Sequence, residues 1–82
     1  MVNVAFEVFN IGDRVIDGTG RVGIVEDIIL QPAITYPVRV RFVINKQISY
    51  ETYTARGLFD SHNLLQSRNI QKYKVEKVKL IW

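Results

Sequence analysis

Gly12-Asp13-Arg14-Val15-Ile16-Asp17-Gly18-Thr19-Gly20-Arg21-Val22-Gly23-Ile24-Val25-Glu26-Asp27-Ile28 is the stretch that decides the fold. A short apolar segment runs into Asp17-Gly18-Thr19-Gly20, and a longer one leaves it. Asp-Gly between β-type runs signals a tight hairpin, because glycine takes the positive φ such a turn demands. One of Gly18 and Gly20 is therefore expected at positive φ. Gly20 and Gly23 allow a bulge or a close approach of two backbones. A small, strongly bent β-sheet structure begins this way.

Downstream, the same period-2 alternation continues. Pro32 and Pro37 bracket a loop. Val38, Val40, Phe42 and Ile44 then point one way, with Arg39 and Arg41 the other. Asn45-Lys46 is a turn into Gln47-Ile48-Ser49-Tyr50-Glu51-Thr52-Tyr53-Thr54, rich in β-branched and aromatic residues. Ala55-Arg56-Gly57 breaks that strand. Residues 57–70 are irregular, with a short helical turn expected to start at Asp60 or Ser61, either of which can cap it. Residues 71–82 return to strand, Tyr73 and Val75 on one face and Val78, Leu80 and Trp82 on the other. The reading is an all-β domain spanning residues 1–82: a closed or half-open small barrel of about five strands with a short helical turn before the last one. The expected core is Val22, Ile24, Val38, Val40, Phe42 and Ile48, with Tyr50 beside Ile48 and Tyr53 on the surface.

Composition fits a single modest domain. The 82 residues are 48% hydrophobic and 23% charged. There is no cysteine, which removes disulfides and thiolate metal sites and fits a reducing cytoplasm. No apolar run reaches the roughly 18 residues of a membrane span. The opening Met1-Val2-Asn3-Val4-Ala5-Phe6-Glu7 lacks the basic segment and cleavage site of a signal peptide, so a cytoplasmic location is expected. Charge is uneven within the net +3: residues 1–30 carry two basic and five acidic groups, residues 31–82 nine and three. Arg68, Lys72, Lys74, Lys77 and Lys79 crowd the final segment. Such a run either steers an anionic partner or protects an edge strand from unwanted pairing.

Catalytic patterns fail on inspection. Asp60-Ser61-His62 contains the residue types of a triad, but triads are assembled in space, and neighbours in sequence rarely aim at one point. Asp13, Asp17, Glu26 and Asp27 lack an ion-loop spacing and a second histidine, so no metal is expected. Gly18-Thr19-Gly20-Arg21-Val22-Gly23 matches G-x-G-x-x-G but leads into β-branched residues rather than a helix, so no dinucleotide cofactor is expected. Aromatics interleaved with basic groups are the more informative pattern, since such surfaces stack bases or grip peptides. Tyr36, Arg39, Arg41, Tyr53, Arg56, Lys72 and Lys74 are the candidate partner-binding residues.

Phe9-Asn10-Ile11-Gly12-Asp13-Arg14-Val15, then Gly20-Arg21-Val22-Gly23-Ile24-Val25-Glu26-Asp27-Ile28, Tyr36-Pro37-Val38-Arg39-Val40-Arg41-Phe42 and Tyr53-Thr54-Ala55-Arg56-Gly57 resemble, in that order, small SH3-like barrel proteins of bacteriophages and prophages. Ala55-Arg56-Gly57 departs from the D-G-R element of that pattern. The opening is also similar to KOW and Tudor-like barrels, which bind RNA, ribosomes, RNA polymerase or peptides. The resemblance implies the SH3-like barrel fold and a phage or prophage source. With the catalytic patterns failing and a net charge of only +3, the reading is a non-enzymatic binding module whose partner is a host protein, a component of transcription, replication or defence machinery. Two alternatives stand beside it: a nucleic-acid-binding domain using the basic final strand, and a structural or assembly subunit of a virion, with room for a homo-oligomer.

Overall fold

The computed structural model describes residues 9–73. They form one antiparallel sheet of five strands: β1 (Arg14–Asp17), β2 (Val22–Ile28), β3 (Val38–Ile44), β4 (Gln47–Tyr53) and β5 (Ile70–Lys72), in the order β4-β3-β2-β1-β5. A single 3-10 turn, Gln66–Arg68, precedes β5. The architecture is thus the all-β one the alternation predicts, realised as an open sheet. The helical turn lies later than Asp60 or Ser61. Asp60 instead closes a separate turn, its side chain accepting from the Leu64 amide at 3.1 Å. Lys74 and the rest of the expected strand beyond Tyr73 lie outside the described residues, as does the apolar start of the chain.

Local chemistry explains the hairpins. In the first, Asp17 Oδ1 accepts from the Thr19 amide at 2.9 Å, the Thr19 hydroxyl at 2.6 Å and the Arg21 amide at 3.0 Å. Gly20 takes φ 93°, the left-handed position of a three-residue hairpin loop. In the second, Asn45 and Lys46 sit at φ 51° and 64°, the pair of positive values that a two-residue type I′ turn requires.

The inner face holds Phe9, Val15, Val25, Val38, Val40, Phe42, Tyr53 and Ile70, all buried. β3 follows its predicted alternation through Phe42, whereas Ile44 at its end is exposed. β2 and β4 run in the opposite phase to that expected, so Val22, Ile24, Ile48 and Tyr50 are exposed. The cause in β2 is Gly23, which lies inside opposite Phe42. A β-carbon there would lie 2.7 Å from Val40 Cγ1 and 2.8 Å from Phe42 Cδ1, so the Phe42 ring uses the room the glycine leaves. A bulge between Val25 and Asp27 then restores an apolar residue to the inside, Ile28, which packs against the core.

In β4 the inner positions are Ser49, Glu51 and Tyr53, paired with Phe42, Val40 and Val38. Tyr53 is fully buried, which corrects its expected place on the surface. Its polar neighbours are tolerated inside because Arg68, from the 3-10 turn, reaches Glu51 at 3.2 Å and covers the Phe59 ring at 4.5 Å. Arg21 does the same on the β1 side, pairing with the buried Asp17 at 2.7 Å and lying 4.8 Å from the centre of the Phe42 ring. Two arginines thus pack over the inner face, Arg21 beside β1 and β3 and Arg68 beside β4, and among the described residues no backbone ladder joins β4 to β5.

Candidate functional site on the outer sheet face

Strand register brings together on the outer face residues that are far apart in sequence. Arg14 is opposite Ile24, Ile24 opposite Arg41, and Arg41 opposite Tyr50. These four form one row across β1, β2, β3 and β4. The neighbouring row is apolar: Ile16 pairs with Val22, and Val43 with Ile48. Val22 and Val43 meet along the same register, and with Arg14, Ile24 and Arg41 they line a shallow cleft of about 260 Å³.

The face combines two properties. Val43 is 62% exposed, Ile48 58% and Tyr50 48%, so it offers water a continuous apolar surface. Its cations also differ in how they are held. Arg39 is tied to Glu26 at 2.9 Å, and its guanidinium covers the Tyr50 ring at 4.7 Å. The Glu26 bulge makes that ion pair by turning an extra carboxylate outward. Arg14 and Arg41 have no ion pair among the described residues, and they flank Ile24 one strand away on either side.

Of the residues singled out from the sequence, this face gathers Arg39 and Arg41. Tyr36 lies elsewhere, its hydroxyl accepting from the Ser61 amide at 3.0 Å beside Phe59 and Leu65. Arg56 stands at the rim of a groove of about 690 Å³ lined by Ile28, Ile29, Leu30 and Ile34. Lys72 ends β5, half-buried, 3.6 Å from Asp13. The sequence reading missed Arg14, Ile24, Val43 and Tyr50 as surface groups. Their signal is the register, which local alternation does not carry.

The perturbed titrating groups lie on the inner face. Burial opposes ionisation of Asp17, but hydrogen bonds from Thr19 and Arg21 outweigh it and hold the carboxyl below its ordinary range. Burial, reinforced by nearby Glu51, pushes the Tyr53 phenol up to about 12. The Tyr53 hydroxyl has no hydrogen-bond partner among the described residues. Both groups act there on stability. Among the described residues no cluster of three metal-ligating side chains occurs, and no helix is long and apolar enough to cross a membrane. Compared with known proteins, the chain matches no family model, no curated protein and no solved structure.

Proposed function

We propose that this chain is a non-enzymatic binding module whose working surface is the outer face of β1 to β4 and whose partner is a protein. The observation that carries the reading is the Arg14–Ile24–Arg41–Tyr50 row beside an exposed apolar row. An apolar side chain of the partner would cover Ile24 and Val43, while carboxylates on either side of it reach Arg14 and Arg41. Apolar contact supplies affinity at such a surface, and the cations orient the encounter. The resemblance to phage-type barrels adds a host protein as the kind of partner and the host cytoplasm as the place.

Nucleic acid is the second reading, and fewer observations favour it. Arg39 and Lys72 already face carboxylates of their own chain. The exposed aliphatic rows offer phosphates nothing. A virion subunit remains the third class, distinguished by assembly into large particles. Binding measured across a salt series separates the first two. Phosphate contacts make the logarithm of affinity fall by about one unit per contact for each tenfold rise in salt. A protein interface centred on Ile24 and Val43 would lose far less. Binding abolished by nuclease, with that steep slope, would overturn the proposal.

A further inference from the structure

The two edges of the sheet differ in a way that points to a second copy of this chain. β5 is three residues long and ends in Lys72. β4 is seven residues long, contains no lysine or proline, and pairs with β3 without a bulge. Its one charge, Glu51, is turned inward to Arg68. Natural edges are blunted by lysine, proline, bulges, shortness or an inward-pointing charge, and of these β4 has only the last, Glu51, which Arg68 neutralises.

The two-residue Asn45-Lys46 turn also settles which backbone groups are open. Such a turn makes Ile44 and Gln47 a hydrogen-bonded pair. Alternation then turns the amides and carbonyls of Ser49, Glu51 and Tyr53 toward β3, and those of Ile48, Tyr50 and Thr52 outward. Among the described residues β4 has no strand on that side.

We infer that β4 pairs antiparallel with β4 of a second copy about a two-fold axis at Tyr50. This register matches the open groups to one another: Tyr50 faces Tyr50 of the other copy, and Ile48 faces Thr52, with about six backbone hydrogen bonds formed. It sets Glu51 against Ser49 and Gln47 against Tyr53, so no like charges meet. Centring the axis one residue on would oppose Glu51 to itself and is unfavourable. The chosen pairing joins the two outer faces side by side and leaves Ile24 and Val43 of each copy uncovered. The inference is independent of what binds there.

The test is the mass of the native chain in solution, followed by sedimentation from ~10 µM to ~1 mM, because a short edge interface is weak. A monomer–dimer equilibrium is expected. Tyr50→Lys and Tyr50→Glu, each with its cooperative melt verified, should each remain monomeric, because the axis places like charges together. An equimolar mixture of the two should dimerise again, an outcome specific to this register. Should either variant fail to fold, Tyr50→Cys in this cysteine-free chain decides: mild oxidation should yield a cross-linked dimer, and Arg56→Cys should not. A wild-type chain monomeric at ~1 mM overturns the inference. So does a dimer indifferent to both charge variants, or a Tyr50→Cys chain that does not cross-link. A foreign strand on this edge, or the chain's own remaining residues on it, would give the monomeric result.

Discussion

The inner and outer faces of β2, β3 and β4 are built from the same strands and do opposite work. Inside, Val25, Val40 and Phe42 are wholly buried, and Gly23 makes room for the Phe42 ring. Outside, Ile24, Val43 and Tyr50 stand in water although they are as apolar as the residues within. The larger aliphatic residues of β2 lost the competition for the interior to a glycine and a valine. An interior is filled to a fixed volume, and one phenylalanine opposite a glycine fills it where two bulky residues would collide. The excess apolar surface is left outside, where it costs solubility and is useful only if something covers it.

The largest expected effect belongs to the inner face. Phe42→Ala should destabilise the domain by about 3–5 kcal/mol, seen as a lower denaturant midpoint, since it opens a cavity above Gly23 and strips Arg21 of its ring. An outer-face truncation of the same strand, Val43→Ala, should change stability by no more than about 0.5 kcal/mol. If the two costs were similar, the assignment of faces would be wrong.

Next comes the buried ion pair of the inner face. Asp17→Ala leaves Arg21, about a quarter exposed, without its buried partner, and should cost about 2 kcal/mol. The pH dependence follows from sign. The Asp17 carboxyl is lowered in the folded chain, so its contribution is complete above the unfolded value of about 4. It is lost as pH falls through the folded value. Chemical denaturation from pH 6 down to pH 2 should show wild type losing more stability than Asp17→Asn. Parallel curves would mean the ion pair contributes nothing.

Tyr53 tests the same face at the alkaline end, with a smaller effect. Its phenol rises to about 12 on folding, against about 10 in the unfolded chain. Stability from keeping it protonated is therefore full below pH 10 and lost between about pH 10 and 12. Tyr53→Phe should remove part of that loss. At pH 7 it should change stability by less than about 1 kcal/mol, because the hydroxyl it deletes has no partner among the described residues. A large loss at neutral pH would show a hydrogen bond to that hydroxyl.

The contrast between faces also marks what the sequence could disclose. β3 is legible because its alternation is between valine and arginine, with no competing phase. The turns are legible because Gly20 and Asn45 readily take positive φ and Asp17 accepts the amides of its own loop, although Gly18 itself keeps ordinary φ. β2 is not, because both its phases are apolar and its bulge at Glu26 has no local signature. β4 misleads because its inner side is polar: Ser49 and Glu51 read as surface, and only the fold shows that Arg68, seventeen residues after Glu51, pairs with that carboxylate inside. Tyr53, on the same face, therefore reads as a surface residue although it is fully buried. Arg39 and Arg41 follow from alternation alone, whereas their company with Arg14, Ile24 and Tyr50 depends on pairings across four strands.

The central claim is that the outer face of β2 and β3 is the working surface. It is tested most directly by quantitative capture of proteins from nuclease-treated cell lysate on wild type and on Ile24→Ser/Val43→Ser, whose melts should be alike. A protein enriched on wild type should fall at least tenfold on the double variant, and about threefold or more on Arg41→Gln, as a central contact and a flanking cation require. An enriched protein retained equally by all three would contradict the claim.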